Sequence, residues 1–161
     1  MKIETNDPLA TVLIVNYNNS NCIDQCLKSV INQNYKKIEI IVVDDNSPDN
    51  SLEILNRYTD QIKLIKKKKK TGLGFFDQMS SYYEGFKESK GEIIFFLDSD
   101  DYFHENKIET IINTFANNEK LIAIYDLPII KKNSNYKLAN NKKNFVKNFW
   151  PYLPPQRCLS I

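Results

Sequence analysis

Three apolar runs, each ending abruptly in polar side chains, constrain the fold of this chain more than any other feature. Thr11-Val12-Leu13-Ile14-Val15 runs into Asn16-Tyr17-Asn18-Asn19, and Ile38-Glu39-Ile40-Ile41-Val42-Val43 runs into Asp44-Asp45-Asn46-Ser47. Ile93-Ile94-Phe95-Phe96-Leu97 stops at Asp98-Ser99-Asp100-Asp101. Short β-branched and aromatic runs of this kind read as strands buried on both faces, as in a parallel sheet. Amphipathic or turn segments follow them, so right-handed βαβ crossovers bring all three polar endings to one sheet edge. Open α/β sheets bind their ligands outside that carboxyl edge. The expected class is therefore α/β: a mostly parallel, Rossmann-like sheet flanked by helices.

With 161 residues, the chain has room for one domain with a real core. Its 42% hydrophobic and 26% charged content is that of an ordinary soluble globule. A net charge of +2 argues against nucleic acid as a partner, which calls for a pronounced basic excess. No run reaches the length of a membrane span, and Met1-Lys2-Ile3-Glu4 lacks the apolar core of a signal peptide, so the expected location is cytoplasmic. Cys22, Cys26 and Cys158 form no paired pattern and read as free thiols. His104 is the sole histidine, so no His-rich metal site can be assembled, and it reads as a loop or helix-start residue.

The chain divides into an arm over 1–8, a core over 9–126, and a polar segment over 127–161. Ser20 or Asn21 is expected to cap a helix burying Ile23, Leu27, Val30 and Ile31, with Cys26 on the same stripe. A helix from Asp49 buries Leu52, Leu55 and Tyr58, and residues 62–65 add a short strand. Periodicity predicts a helix from Gln78 to Ser89 through Met79, Tyr82, Tyr83 and Phe86, and another from Glu105 to Asn117 through Ile108, Ile111, Ile112 and Phe115. Leu121 to Tyr125 reads as a further strand. Residues 131–144 read as a loop or a hairpin tip, local disorder being one expectation, and the segment before Ile161 as the start of another strand.

Asp98 and Asp100 can both turn toward one cation if the strand breaks between them, and hard oxygen ligands suit Mg2+ or Mn2+. The same Asp-Ser-Asp-Asp residues also suit a helix cap, and Asp101 more naturally caps that helix or holds the loop than binds a cation. Lys66 to Lys70 read first as a solvated charge run. Two functional readings compete with that. One lysine could reach a bound diphosphate, or the run could draw the chain to an anionic membrane, each lysine contributing on the order of 1 kcal/mol.

Taken together, residues 12–18, Leu27-Lys28-Ser29-Val30-Ile31-Asn32-Gln33, residues 39–47 and residues 91–101 resemble the nucleotide-binding half of the family 2 inverting glycosyltransferases, which have the GT-A fold. Four blocks in order are far more specific than any one. The resemblance implies transfer of a sugar, with inversion, from a nucleoside diphosphate sugar donor, a UDP-sugar by the match at Asp45. Glycans, lipid-linked sugars and proteins are the implied acceptors. It implies Mn2+ or Mg2+ as cofactor, held by Asp100 with Asp98 touching the metal, its water or the ribose. Asp45 matches the residue that accepts the uracil imide N–H, Tyr17 an aromatic that packs on the base, and Val15 and Asn16 the backbone that bonds its carbonyls. Core packing is the competing reading for Tyr17, and Asp44 matches a turn residue.

Two departures stand out. Aligning on Gly85 and Gly91 puts Tyr83 where many members carry Asn, and Tyr82 at its neighbour, with Gln78 in a familiar place. The second is length: a complete domain of the family is longer than this chain, so the fold reads as C-terminally incomplete and the catalytic base is expected beyond Ile161. Residues 127–161 would then begin the acceptor side, with an apolar surface around Phe149, Trp150 and Leu153 that invites self-association. A non-catalytic or truncated nucleotide-sugar-binding module is the alternative to an enzyme, and peripheral membrane association remains an expectation. A phosphoacceptor signalling domain fits poorly, because the acidic pair follows the second strand rather than the first.

Overall fold

A computed structural model describes residues 7–68, 71–118, 120–124, 129–132, 135–138 and 157–158. In chain order these form β1 (Ala10–Asn16), α1 (Ile23–Ile31), β2 (Ile38–Asp44), α2 (Ser51–Leu55) with a 3-10 turn (Asn56–Tyr58), and β3 (Lys63–Lys66). Then come α3 (Gly74–Lys87), β4 (Ile93–Asp98), α4 (Lys107–Ala116), β5 (Ile129–Lys132), β6 (Asn135–Leu138) and β7 (Arg157–Cys158).

Five strands form one parallel sheet in the order β3-β2-β1-β4-β7. The order reverses at β1: α1 carries the chain to β2 on one side, and α3 carries it back across to β4 on the other. Strand β1 is buried along its whole length, which explains its unbroken apolar run. Side chains alternate between two faces. Val12, Ile14, Val42 and Phe95 pack with α1, α4 and Leu55, while Leu13, Ile41, Val43 and Ile94 pack with Tyr82 and Phe86 of α3.

Two glycines set how closely the layers approach. A Cβ at Gly91 would lie 2.5 Å from Thr11 Oγ1 and 2.6 Å from Thr11 N, so no larger residue fits where the chain enters β4. A Cβ at Gly85 would meet Val43 Cγ2 at 3.1 Å and Leu13 Cδ2 at 3.3 Å, which fixes the seat of α3 on the sheet.

Several expectations need correction. Helix α1 starts at Ile23 with Cys22 at its N-cap, not at Ser20 or Asn21; the Ser20 N–H instead donates to Asp49 Oδ2 at 2.8 Å. Helix α3 starts four residues before Gln78, because the Asp77 carboxylate accepts the N–H groups of Thr71 (2.7 Å) and Gly72 (3.0 Å) and so closes the first turn earlier. Its buried stripe is Asp77, Ser81 and Gly85, and Tyr83 is 61% exposed. Residues 121–124 form no strand; the Leu121 N–H turns back to the Asn118 carbonyl at 3.1 Å. β5 and β6 form an antiparallel hairpin, so residues 129–132 and 135–138 are ordered strand. Phe149, Trp150 and Leu153 lie outside the described residues, as do residues 139–144. The core of α4, at Ile108, Ile111, Ile112 and Phe115, is buried as its periodicity requires. Among the described residues, no helix is long and apolar enough to cross a membrane.

Candidate donor-binding site

The polar ends of β2, β1 and β4 lie side by side, Asn16 in register with Asp44 and Val15 with Asp98. The loops beyond them are tied together by side-chain hydrogen bonds. Asn16 Nδ2 donates to Asp44 Oδ1 (2.8 Å) and Ser47 Oγ (3.0 Å), while the Ser47 N–H and hydroxyl donate to Asp44 Oδ2 and Oδ1 (3.0 and 2.6 Å). The Asn18 N–H reaches Ser47 Oγ at 3.1 Å. Asn18 and Asn46 both sit in the left-handed region, with φ of 56° and 57°, which asparagine tolerates better than most residues. Asp44 is thus a turn clamp. On the other side, Asn19 Nδ2 donates to the buried Ser99 Oγ at 2.7 Å and ties the β1 loop to the β4 loop.

Asp45 is buried beside this clamp, 2% exposed, and its N–H donates to the Asn16 carbonyl at 2.9 Å. Lys67 Nζ lies 2.8 Å from Asp45 Oδ1. The carboxylate is therefore recessed rather than open, and any ligand that meets it must make room beside the pair. Tyr17, 45% exposed, is no core residue, which removes that competing reading. Val15 is 7% exposed and Asn16 fully buried, so these two contribute through the backbone or through loop geometry rather than an open side chain.

Asp98 ends β4 half-buried, and two donors from α3 converge on its Oδ1: Tyr82 Oη at 2.6 Å and Gln78 Nε2 at 2.9 Å. Burial, then the Asp98 charge and the bond to Asp98, push the Tyr82 hydroxyl far above its ordinary range, so it remains a donor. Asp100 and Asp101 are exposed in the turn that follows. The Asp101 N–H closes that turn on the Asp98 carbonyl at 3.0 Å, and Asn106 occupies the N-cap of α4, so Asp101 holds the loop and caps no helix. Desolvation, then the charges of Asp100 and Asp98, raise the Asp101 carboxyl above its ordinary value. A cation there would relieve that repulsion.

No three His, Cys, Asp or Glu side chains among the described residues converge as a ready-made metal cage. Two hard carboxylates at an exposed turn fit the manner in which Mg2+ and Mn2+ bind, through one or two carboxylates with water and substrate phosphates completing the shell. His104 lies in the loop before α4, its carbonyl accepting Gln33 Nε2 at 2.7 Å, away from any ligand role. Cys26 is buried and burial raises its thiol far above its usual range; it and Cys22 are free.

Two contributions escaped the sequence reading. Tyr82 and Gln78 reach Asp98 although the helix lacks the expected Asn. Lys67 leaves the lysine run to pair with Asp45, while Lys66 and Lys68 are exposed as the solvated reading expects, and Lys69 and Lys70 lie outside the described residues. Nothing in the lysine run itself marks Lys67; the register that pairs Asp44 with Lys66 sets it beside Asp45.

Comparison with known proteins places this geometry. The family model described as glycosyl transferase family 2 matches residues 11–158. An uncharacterized glycosyltransferase of Haemophilus influenzae is 30% identical over 147 residues, covering 88% of this chain and 52% of that protein. The crystal structure of Staphylococcus aureus TarS 1-349 in complex with UDP superposes with a TM-score of 0.65 at 21% identity, over 96% of this chain and 41% of that one. The mannosyltransferase PcManGT from Pyrobaculum calidifontis, in complex with GDP-Man and Mn2+, superposes with a TM-score of 0.58 at 22% identity, over 70% of this chain and 32% of that one. The chain spans 38% to 52% of the length of three curated relatives it matches.

Proposed function

The chain belongs to glycosyl transferase family 2, and from that premise we propose that its carboxyl edge binds the nucleoside diphosphate of a sugar donor, a UDP-sugar, for inverting transfer to a hydroxyl acceptor. The observation that carries this reading is the placing of Asp45, just past β2, and Asp98, at the end of β4, on either side of β1 at one edge of the family's fold. In this reading Asp45 accepts the imide N–H of uracil, Tyr17 covers the base, and the loop backbone at Val15 and Asn16 meets its carbonyls. Asp100 and Asp98 would hold Mn2+ or Mg2+, which supplies Lewis-acid charge for a departing diphosphate.

Inversion follows if the acceptor hydroxyl attacks the anomeric carbon opposite the diphosphate. The new C–O bond forms as the old one breaks, the electron pair leaves on phosphate oxygen, and the hydroxyl proton passes to a base outside the residues assigned here. UDP bound in TarS and the Mn2+ of PcManGT support the choice of nucleotide and metal. A glycan or lipid-linked acceptor, and contact with an anionic membrane through the exposed Lys66 and Lys68, complete the proposal.

Calorimetric titration tests it. UDP should bind more tightly with Mn2+ than with EDTA, and more tightly than CDP, whose cytosine lacks the imide N–H. Equal affinity for UDP and CDP, with no effect of metal, would count against both the base and the metal assignments.

A further inference from the structure

We propose that Lys67 is a positioning residue that fixes Asp45 for the nucleobase and so sets the preference for uracil over cytosine. This rests on the reading that Asp45 meets the base. Four other ion pairs, Lys28–Asp24, Arg57–Glu53, Lys63–Glu88 and Lys87–Glu84, have side chains 39% to 70% exposed. In the Lys67–Asp45 pair the exposures are 14% and 3%. A buried pair does little for stability compared with apolar residues of the same size, because both charges give up water. Its presence under the donor edge therefore speaks for a need for the carboxylate itself.

The surroundings of the ammonium decide between the two jobs open to this lysine. Lys67 Nζ faces Asp45 Oδ1 at 2.8 Å, Ser81 Oγ at 3.0 Å and the Asp77 carbonyl at 3.3 Å. Ser81 and the Asp77 carbonyl accept two of the three N–H donors of the ammonium, and its charge faces Asp45 Oδ1 as an ion pair, so the cation is already committed within the fold rather than directed at a diphosphate. The acceptors are themselves fixed. Ser81 Oγ donates to the Asp77 carbonyl at 2.9 Å, and the Asp77 carboxylate holds Thr71 and Gly72. The Lys67 N–H also binds the Asp44 carbonyl at 2.9 Å. Lys67 is thus a strut between β2 and α3 whose ion-pair partner among the described residues is Asp45. A carboxylate so held presents an acceptor only, which suits the N–H of uracil and repels the lone pair at the same ring position of cytosine.

The test measures UDP and CDP affinity, with Mn2+, for the unmutated chain and for Lys67→Met, Lys67→Gln and Ser81→Ala. Lys67→Met and Lys67→Gln should weaken UDP binding about tenfold and bring the UDP:CDP ratio toward one, a loss on the scale of one charged hydrogen bond. The gain from Mn2+ should stay as it was, since Asp98 and Asp100 are untouched. Ser81→Ala, which loosens the ammonium without removing it, should lower the ratio by a smaller factor and serves if both lysine variants fail to fold. A lysine that is merely structural predicts lower thermal stability with an unchanged ratio; that result in any folded variant overturns the inference while the uracil reading stands. An unmutated chain that does not distinguish UDP from CDP overturns the uracil reading, and this inference with it.

Discussion

Asp100→Ala removes the exposed carboxylate next to Asp98 and should abolish most of the gain in UDP affinity that Mn2+ provides, as read by calorimetry with and without EDTA. Asp101→Ala should leave that gain in place and change the unfolding free energy, read from urea titration, by no more than about 0.5 kcal/mol, the range of surface substitutions, because Asn106 and not Asp101 stands at the N-cap of α4. A metal response that survives Asp100→Ala would move the cation elsewhere. The neighbouring carboxylates differ in role because the chain turns between them, and the sequence alone gave the cap and the loop as equal choices for Asp101. Asp45 and Asp98 were easier to read, since a carboxylate ending an apolar strand needs a reason to be there. Lys67 was not legible among five consecutive lysines, and only the register of β3 against β2 separates it from its neighbours.

At the scale of elements, α3 carries the most new information. Its aromatic positions suggest a stripe through Met79, Tyr82, Tyr83 and Phe86; Tyr82 and Phe86 do pack on the sheet, but the buried positions are Asp77, Ser81 and Gly85. Hydropathy misses that line because the close seat of the helix demands small side chains and a polar anchor for the loop before it, not apolar bulk. The rotation brings Tyr82 onto Asp98 and leaves Tyr83 in solvent. Tyr82→Phe keeps the ring against Phe96 and deletes only the hydroxyl. It should weaken UDP binding in Mn2+ several-fold, as expected for one hydrogen bond to a charged acceptor. Unchanged affinity for both UDP and Mn2+ would show that Gln78 alone suffices to hold Asp98. Helix α4, whose stripe is plainly apolar, was legible in full.

For the whole molecule, acid is the simplest probe. Hydrogen bonds from Lys28 and Tyr58 hold Asp24 below its ordinary 3.8, the Thr71 N–H does the same for Asp77, and Lys63 lowers Glu88 from 4.5. Each folded value lies under the unfolded one, so each contribution is complete above the unfolded value and fades as pH falls through the folded value. Urea midpoints should therefore hold steady from pH 7 to about 5 and drop below about pH 4. A flat profile down to pH 3 would contradict these bonds. The sheet order has a consequence in time. Strands β1, β2 and β3 pair with near neighbours in sequence, but the seam between β1 and β4 joins residues such as Asn19 and Ser99, 80 positions apart. Closing so long a loop is slow relative to local pairing. Half of the proposed nucleotide site can form while the chain is still being made, and the other half exists only once β4 has emerged and inserted beside β1. Capture of UDP by a nascent chain would thus mark the moment at which this seam closes.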